Sequence, residues 1–272
     1  MLSISLNSHS LSSFSTCKAL FDYRELQLKR PIRKKAAFEK GTLVARVLEL
    51  FYKKKQRLSG APVPPAFVGL LYRKMQGPTI KLATEDKMFL AGRFLLYAAH
   101  YQTERFKVVA VELGFSTLLY EDKKYQFIYE GRPDLVIGDG QSLIVVDHKT
   151  RLMERMNNDM NNQSLGYCYC LGAKTFIYNY IGLQTSEGPQ KWFKRTPVEF
   201  SARQLLRWRD ETIETFFEVA RTMETKKFGR SYNCVDRYGM CDYYPICSAP
   251  SERDALIEIQ TGYETVERHK SW

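Results

Sequence analysis

Residues 131–150 read GRPDLVIGDGQSLIVVDHKT. Two short apolar runs, Leu135 to Ile137 and Ser142 to Val146, flank Gly138-Asp139-Gly140, and that turn chemistry predicts a β-hairpin. Asp134 then falls early in one strand, and Asp147 and Lys149 fall at the end of the next. Side chains alternate faces along a strand, so Asp147 and Lys149 point to one side and His148 to the other. The backbone carbonyl of His148 is left near the two carboxylates.

Two convergent carboxylates and a carbonyl are the oxygen donors that a hard cation such as magnesium or manganese prefers. A lysine beside them needs an anion to meet or a water to orient. These groups suit metal-assisted attack of water on a phosphodiester: the metal polarises the phosphoryl oxygen and lowers the water pKa. Lys149 steadies the nucleophile or the developing charge. The alternative for this stretch alone is a hairpin whose ends happen to be charged. Pro133-Asp134 followed by Asp147-His148-Lys149 resembles the signature of the PD-(D/E)XK nucleases, with aspartate in the D/E position.

A length of 272 residues allows one large domain or a domain with an appended lobe. A hydrophobic content of 44% with 13% aromatics predicts a globular rather than a disordered chain. The formal charge of +11 implies an anionic partner, nucleic acid before membrane. No run reaches the length of a membrane span, so the reading is a soluble, cytoplasmic protein. Residues 1–19 carry no acidic side chain and many serines, a faint likeness to a transit peptide, but lack a secretory apolar core. Six unevenly spaced cysteines fit a reducing compartment with metal-bound or buried thiols better than a disulfide framework.

Working outward, Ser10 or Ser12 is expected to cap a short helix presenting Leu11, Phe14, Leu20 and Tyr23. A basic cluster follows, Lys29, Arg30, Arg33, Lys34 and Lys35 around Pro31, either a solvated loop or a phosphate contact. Residues 36–55 have helical spacing, with Leu43, Val47, Leu50 and Phe51 facing a core. Residues 58–65 read as a loop and residues 65–76 as a small helical lobe. An amphipathic helix is predicted over 84–101, with Thr84 at its cap and Met88, Phe89, Phe94, Leu95 and Tyr97 buried. Residues 106–118 predict the first strand, carrying Glu112, and residues 125–137 the next, with Arg132 near its active edge.

After Lys149, Gln163 and Tyr167 lie four apart on one helical face; Cys168 and Cys170 nearby read as buried helix residues. Residues 174–183 alternate as a strand, and residues 201–221 form a helix along Leu205, Leu206, Thr212, Phe216 and Val219. The remainder is irregular and holds Cys234, Cys241 and Cys247, in a spacing that fits no paired zinc pattern. Residues after Ala249 read as a peripheral helix or tail.

The order of these features resembles RecB-like PD-(D/E)XK nucleases across most of the chain. That resemblance implies an α/β, restriction-endonuclease-like mixed central sheet flanked by helices, with a helical N-terminal lobe and a Cys-bearing C-terminal lobe. The segments would be 1–105, 106–226 and 227–272. It assigns Asp134, Asp147 and Lys149 to catalysis, Glu112 to the metal site or its surroundings, and Gln163 and Tyr167 to supporting the site and the DNA strand. In these families a histidine follows Gly-Thr on the preceding helix as a metal ligand; here Gly41-Thr42-Leu43-Val44 is followed by Ala45. Either that ligand is naturally absent and fewer protein groups hold the metal, or it has been replaced.

Three terminal thiols plus Cys17 resemble the iron-sulfur latch of AddB-type and CRISPR-adaptation nucleases. There a [4Fe-4S] cluster on four thiolates staples the N-terminal segment to the C-terminal one. Zinc in the same thiols, or unligated cysteines, are the alternatives. The implied activity is a magnesium- or manganese-dependent exonuclease on single-stranded DNA or DNA ends, acting in recombination, repair or processing, in a bacterial or phage setting. Tyr243 and Tyr244 are candidates to stack on unpaired bases or to pack around the cluster. The rival readings are a catalytically inactive DNA-binding module, an iron-sulfur or zinc subunit of a recombination or adaptation complex, and an RNA-directed enzyme.

Overall fold

A computed structural model describes residues 1–32, 36–78, 80–104, 106–138, 142–151, 160–183, 188, 191–232, 234–236 and 239–267. The chain begins with β1 (Leu2–Leu6), α1 (Ser8–Thr16), α2 (Lys18–Phe21), a π-helical turn (Asp22–Leu26) and β2 (Lys29–Pro31). Three helices follow: α3 (Ala36–Arg57), α4 (Pro65–Met75) and α5 (Thr84–His100). Then come β3 (Lys107–Val111), β4 (Phe115–Glu121), β5 (Tyr125–Gly131), β6 (Leu135–Gly138) and β7 (Leu143–Arg151). Next are α6 (Asn162–Leu171), β8 (Thr175–Gly182), β9 (Phe193–Glu199) and α7 (Ala202–Thr225). The chain finishes with β10 (Val235–Asp236), β11 (Gly239–Met240), α8 (Tyr244–Ser248), α9 (Glu252–Gly262) and β12 (Tyr263–Thr265).

These elements form two compact units, residues 35–115 with 132–206, and residues 1–34 with 116–131 and 207–272. The units cut across the consecutive segments expected from sequence because the strand pairings that build them join distant residues, β1 with β5 and β2 with β12.

The first unit holds a five-stranded mixed sheet in the order β3-β6-β7-β8-β9, parallel between β7 and β8 and antiparallel elsewhere. The expected hairpin is there as β6 and β7, with Leu135 opposite Val146 and Gly138 opposite Leu143; Asp139 and Gly140 of its turn lie outside the described residues. β6 is buried along its whole length, as a central strand requires. Apolar side chains of α3 recur at Val44, Val47, Leu48, Phe51 and Tyr52, the three-and-four spacing of one helical face. They pack with α4, α5 and sheet residues into one core. On α5 the buried apolar positions are Leu90, Ala91, Phe94, Tyr97 and Ala98. Met88 and Leu95, expected inside, are exposed because they fall on the opposite face, and Ala83 rather than Thr84 precedes the first turn.

Two predicted single strands are each two. Residues 106–118 break at Glu112, which adopts a left-handed backbone (φ +52°) and donates its N–H to the Asp134 carbonyl at 3.1 Å. β3 and β4 therefore belong to different sheets. Residues 125–137 break at Arg132-Pro133, where proline lacks the N–H that a ladder needs; Asp134 sits immediately before β6 rather than within it.

The second unit contains a three-stranded sheet, β1-β5-β4. Asn7, not a serine, caps α1, accepting from the N–H groups of His9 and Ser10 at 2.9 Å. In α7, Thr212, Phe216 and Val219 are buried, with Phe216 stacked on Phe127 at 5.1 Å; Leu206 falls off that stripe and is exposed. β2 and β12 pair antiparallel, so N- and C-terminal segments meet through backbone hydrogen bonds. Tyr243 stacks between Tyr23 (6.0 Å) and Tyr263 (5.5 Å), and its hydroxyl donates to the Lys29 carbonyl at 2.6 Å. It is buried, so of the two roles expected for it the base-stacking one is lost and packing remains, because its ring fills this small core; Tyr244 is exposed.

Candidate active site

Asp147 and Lys149 leave β7 on one face, as alternation demands, and the Lys149 ammonium lies 2.7 Å from Asp147 Oδ2. α6 brings Gln163 across this pair. Its Nε2 donates to Asp147 Oδ1 at 2.8 Å, and its Oε1 accepts from Lys149 at 3.2 Å. Asn161 fixes where α6 starts by accepting the N–H groups of Gln163 and Ser164, and its own amide donates to the Tyr178 hydroxyl at 2.8 Å. Tyr178 is the β8 residue paired with Asp147. Sequence reading missed Asn161, although an Asn one residue before the helical pattern is a capping signal.

Asp134 joins from the turn before β6, its Oδ2 accepting the backbone N–H of His148 at 2.7 Å. That bond places the His148 peptide beside both carboxylates. Glu112 ion-pairs with Arg132 at 2.9 Å, and Tyr167 receives the Arg132 N–H at 3.4 Å while Phe115 packs edge-on against its ring. Asp134, Asp147, Lys149, Gln163, Tyr167, Glu112 and Arg132 are thus assembled around one end of the sheet.

Ala45 is reached through α3. A Cβ on Gly41 would stand 3.3 Å from Thr150 Oγ1, so the helix passes close to the end of β7 there. Behind burial and the Asp134 charge, Glu49 adds a smaller upward push on the Glu112 pKa. Gly41, Ala45 and Glu49 share one helical face, and the two outer residues both approach the site. Glu49 was not singled out from the sequence; its ion pair with Lys53 at 2.6 Å looks like an ordinary surface pair until the fold places it.

Burial raises the Asp147 carboxyl, with Lys149 opposing, and burial also raises Asp134, opposed by the His148 N–H and Lys149. Burial and then the Asp134 charge push Glu112 up to about 7. Burial alone would lower Lys149, but Asp147 outweighs it and holds the ammonium above its ordinary value. Asp147 Oδ2 is buried without an aligned hydrogen-bond donor, its Lys149 contact being an ion pair. Among the described residues no three His, Cys, Asp or Glu side chains converge as a metal site. Two carboxylates and a carbonyl still fit magnesium or manganese, which bind through one or two carboxylates and keep water in their remaining positions.

Cys17, Cys234, Cys241 and Cys247 lie in the second unit, free of disulfides. Burial raises the Cys247 thiol, Arg230 opposes it, and Cys17, Cys241 and Cys234 add smaller upward pushes, so the other three thiols lie within electrostatic reach of Cys247 without converging as a metal site among the described residues. Burial raises Cys17, but backbone N–H groups of Leu20, Ser231 and Ala19 outweigh it and lower its pKa. Cys168 is fully buried and Cys170 partly so. Lys29 bonds Thr265 at 2.7 Å, and Arg30 donates to the Arg24 carbonyl; Arg33, Lys34 and Lys35 lie outside the described residues.

A mixed sheet carries aspartate before one strand and Asp-x-Lys at the end of the next, with a helical glutamine bonded to both members of that pair, which is the layout expected of the PD-(D/E)XK signature. The pattern of the PD-(D/E)XK nuclease superfamily matches residues 5–248, and the chain belongs to that superfamily. Similar solved structures include an alkaline exonuclease from Laribacter hongkongensis (12% identity, 67% of this chain and 89% of that one, TM-score 0.36). The same enzyme in complex with dAMP matches at 11% identity over 71% of this chain and 96% of that one, TM-score 0.37. A proposed exonuclease from Eubacterium rectale matches at 9% identity over 85% and 86%, TM-score 0.48. A search of curated proteins finds no match to this sequence. Among the described residues no helix is long and apolar enough to cross a membrane.

Proposed function

We propose that this chain is a magnesium- or manganese-dependent DNA exonuclease acting on single-stranded DNA or DNA ends in recombination, repair or processing. The observation that carries the reading is the Gln163 clamp, which holds Asp147 and Lys149 together beside Asp134. Asp134, Asp147 and the His148 carbonyl would hold the cation, which when bound supplies Lewis acidity to a phosphoryl oxygen and acidifies water. Lys149 stays protonated, so it donates to the attacking water or to a phosphoryl oxygen instead of removing a proton. Glu112, titrating near neutrality, accepts or releases a proton at the edge of the site. Tyr167 and the largely exposed Arg132 face the strand, and the Arg132 guanidinium meets its phosphates. A cytoplasmic setting, in a bacterium or a phage-infected host, and partners in a recombination complex belong to the same proposal.

Cys17, Cys234, Cys241 and Cys247 would carry a [4Fe-4S] cluster. Soft thiols suit iron-sulfur chemistry, and cluster ligands stand further apart than the ligands of a single ion. The backbone donors that lower Cys17 favour its thiolate, the ligating form. The cluster would reinforce a junction that β2 and β12 already close.

A second reading, a DNA-binding module without catalysis, is favoured by Ala45. Cleavage of end-labelled single-stranded DNA with manganese, by this chain and by Ala45→His, separates the two. Cutting by either protein supports the nuclease; cutting only after the substitution makes Ala45 a lost ligand position. No cutting by both, with DNA still bound, overturns the nuclease reading in favour of the binding module.

A further inference from the structure

Behind the catalytic strand, on the face of the sheet opposite Asp147 and Lys149, lies a buried polar ladder. His148 on β7, Asn179 on β8 and Arg195 on β9 are successive register partners, so their side chains share that face. Asn179 is fully buried, and Tyr52 of α3 and Tyr97 of α5 close over the ladder. The Asn179 amide donates to the Tyr97 hydroxyl at 2.8 Å and meets His148 Nδ1 at 2.7 Å. Its Oδ1 accepts from Arg195 Nε at 3.2 Å. Arg195 also bonds Glu104 and reaches the Tyr52 hydroxyl at 2.9 Å, which in turn lies 2.5 Å from the Tyr97 hydroxyl.

Donor and acceptor roles run in one direction along this ladder. A guanidinium only donates, so Asn179 must turn its oxygen toward Arg195 and its NH₂ toward His148. His148 Nδ1 must then accept, which puts the ring proton on Nε2. The imidazole lies flat on the Tyr52 ring, at 5.4 Å and 16° between planes, so it has little freedom to rotate. Its own N–H holds Asp134, and its carbonyl is the one assigned to the cation under the nuclease reading.

We propose that Asn179, oriented by Arg195, is a positioning residue that locks His148 in its Nε2–H tautomer and thereby fixes the peptide that holds Asp134 and offers the carbonyl ligand. This rests on the metal-dependent nuclease reading. A group that orients a ligand from behind typically sets metal affinity or activity by a factor of about 10–100. Polar groups buried so deeply also specify one arrangement of the strands, since an apolar replacement at one rung leaves the next unpaired.

Nitrogen-15 spectra of histidine-labelled protein test the first half, since the chain has only four histidines. In the wild type, His148 should show a bare Nδ1 and a protonated Nε2. Asn179→Asp keeps the volume and the acceptor for Arg195 but can only accept from His148, so the proton should move to Nδ1. Calorimetry with Mn²⁺ should then show an affinity about 10–100-fold weaker than wild type, with DNA binding in EDTA unchanged. Tyr97→Phe, which deletes one hydroxyl, should weaken Mn²⁺ in the same direction and serves if Asn179→Asp does not fold. A wild-type proton on Nδ1 overturns the ladder. Mn²⁺ affinity within two-fold of the parent protein overturns the positioning role alone; if the wild type binds no Mn²⁺ the same comparison is made in the Ala45→His background, and no Mn²⁺ binding there either overturns the nuclease reading and the proposal with it.

Discussion

Lys149→Met separates the structural role of the lysine from its chemical one, because methionine keeps much of the length and removes the charge. At 2.7 Å the ion pair with Asp147 attracts by about 6 kcal/mol at an effective dielectric near 20. The variant loses less than that, because Asp147, 3% exposed, takes up a proton once its counter-charge is gone. Neutralising a carboxyl whose ordinary pKa is 3.8 takes about 4 kcal/mol at pH 7, which caps the loss. A destabilisation of about 3–4 kcal/mol at pH 7 is therefore expected. At pH 4.5 the same cap falls to about 1 kcal/mol. The sign follows from the raised folded-state pKa of Asp147: its contribution is fully present below 3.8 and is lost as pH rises. Lys149, also raised, contributes across this whole range and loses its contribution only in strong alkali. Urea denaturation of both proteins in EDTA at pH 4.5 and pH 7 reads the difference. A gap that does not change with pH, or one below about 1 kcal/mol at pH 7, refutes the argument that Asp147 is a buried charge held by Lys149.

Gln163→Leu removes hydrogen bonds to both Asp147 and Lys149, and in an Ala45→His background it should lower single-turnover cleavage about 10–100-fold while leaving DNA affinity in EDTA unchanged. Arg132→Met removes the cation 2.9 Å from Glu112, so the Glu112 titration followed by carbon-13 NMR should move from about 7 to higher pH; a downward shift would mean that Arg132 is not its counter-charge. Protein purified without oxygen should be brown, and Cys241→Ser should bleach it and lower its melting temperature. Colourless, stable wild-type protein would remove the cluster.

The sequence carried the chemistry of the site because the hairpin is local. Period-two alternation alone puts Asp147 and Lys149 on one face, and period-3.6 spacing alone puts Gln163 and Tyr167 on one side of α6. The fold class came with the family resemblance that those residues carry, while helical spacing gave α3, α4, α5 and α7 to within a few residues. Breaks within apolar runs were not legible. Glu112 splits residues 106–118 only because its left-handed backbone is held by the Asp134 carbonyl, a contact between residues 22 positions apart. β1 was invisible for a related reason: five residues at the terminus become a strand by pairing with β5.

What tertiary structure decided lies mostly behind the site and at its edges. Tyr52, Tyr97, Asn179 and Arg195 look in sequence like unrelated residues on two helices and two strands, and register alone aligns three rungs with His148. Glu49 becomes a neighbour of Glu112, and Tyr243 becomes a core residue, by the same kind of long-range packing. Local periodicity fixes the direction in which a side chain leaves its own element. Which partner meets it there depends on contacts distant in sequence, and those form only when the whole chain closes.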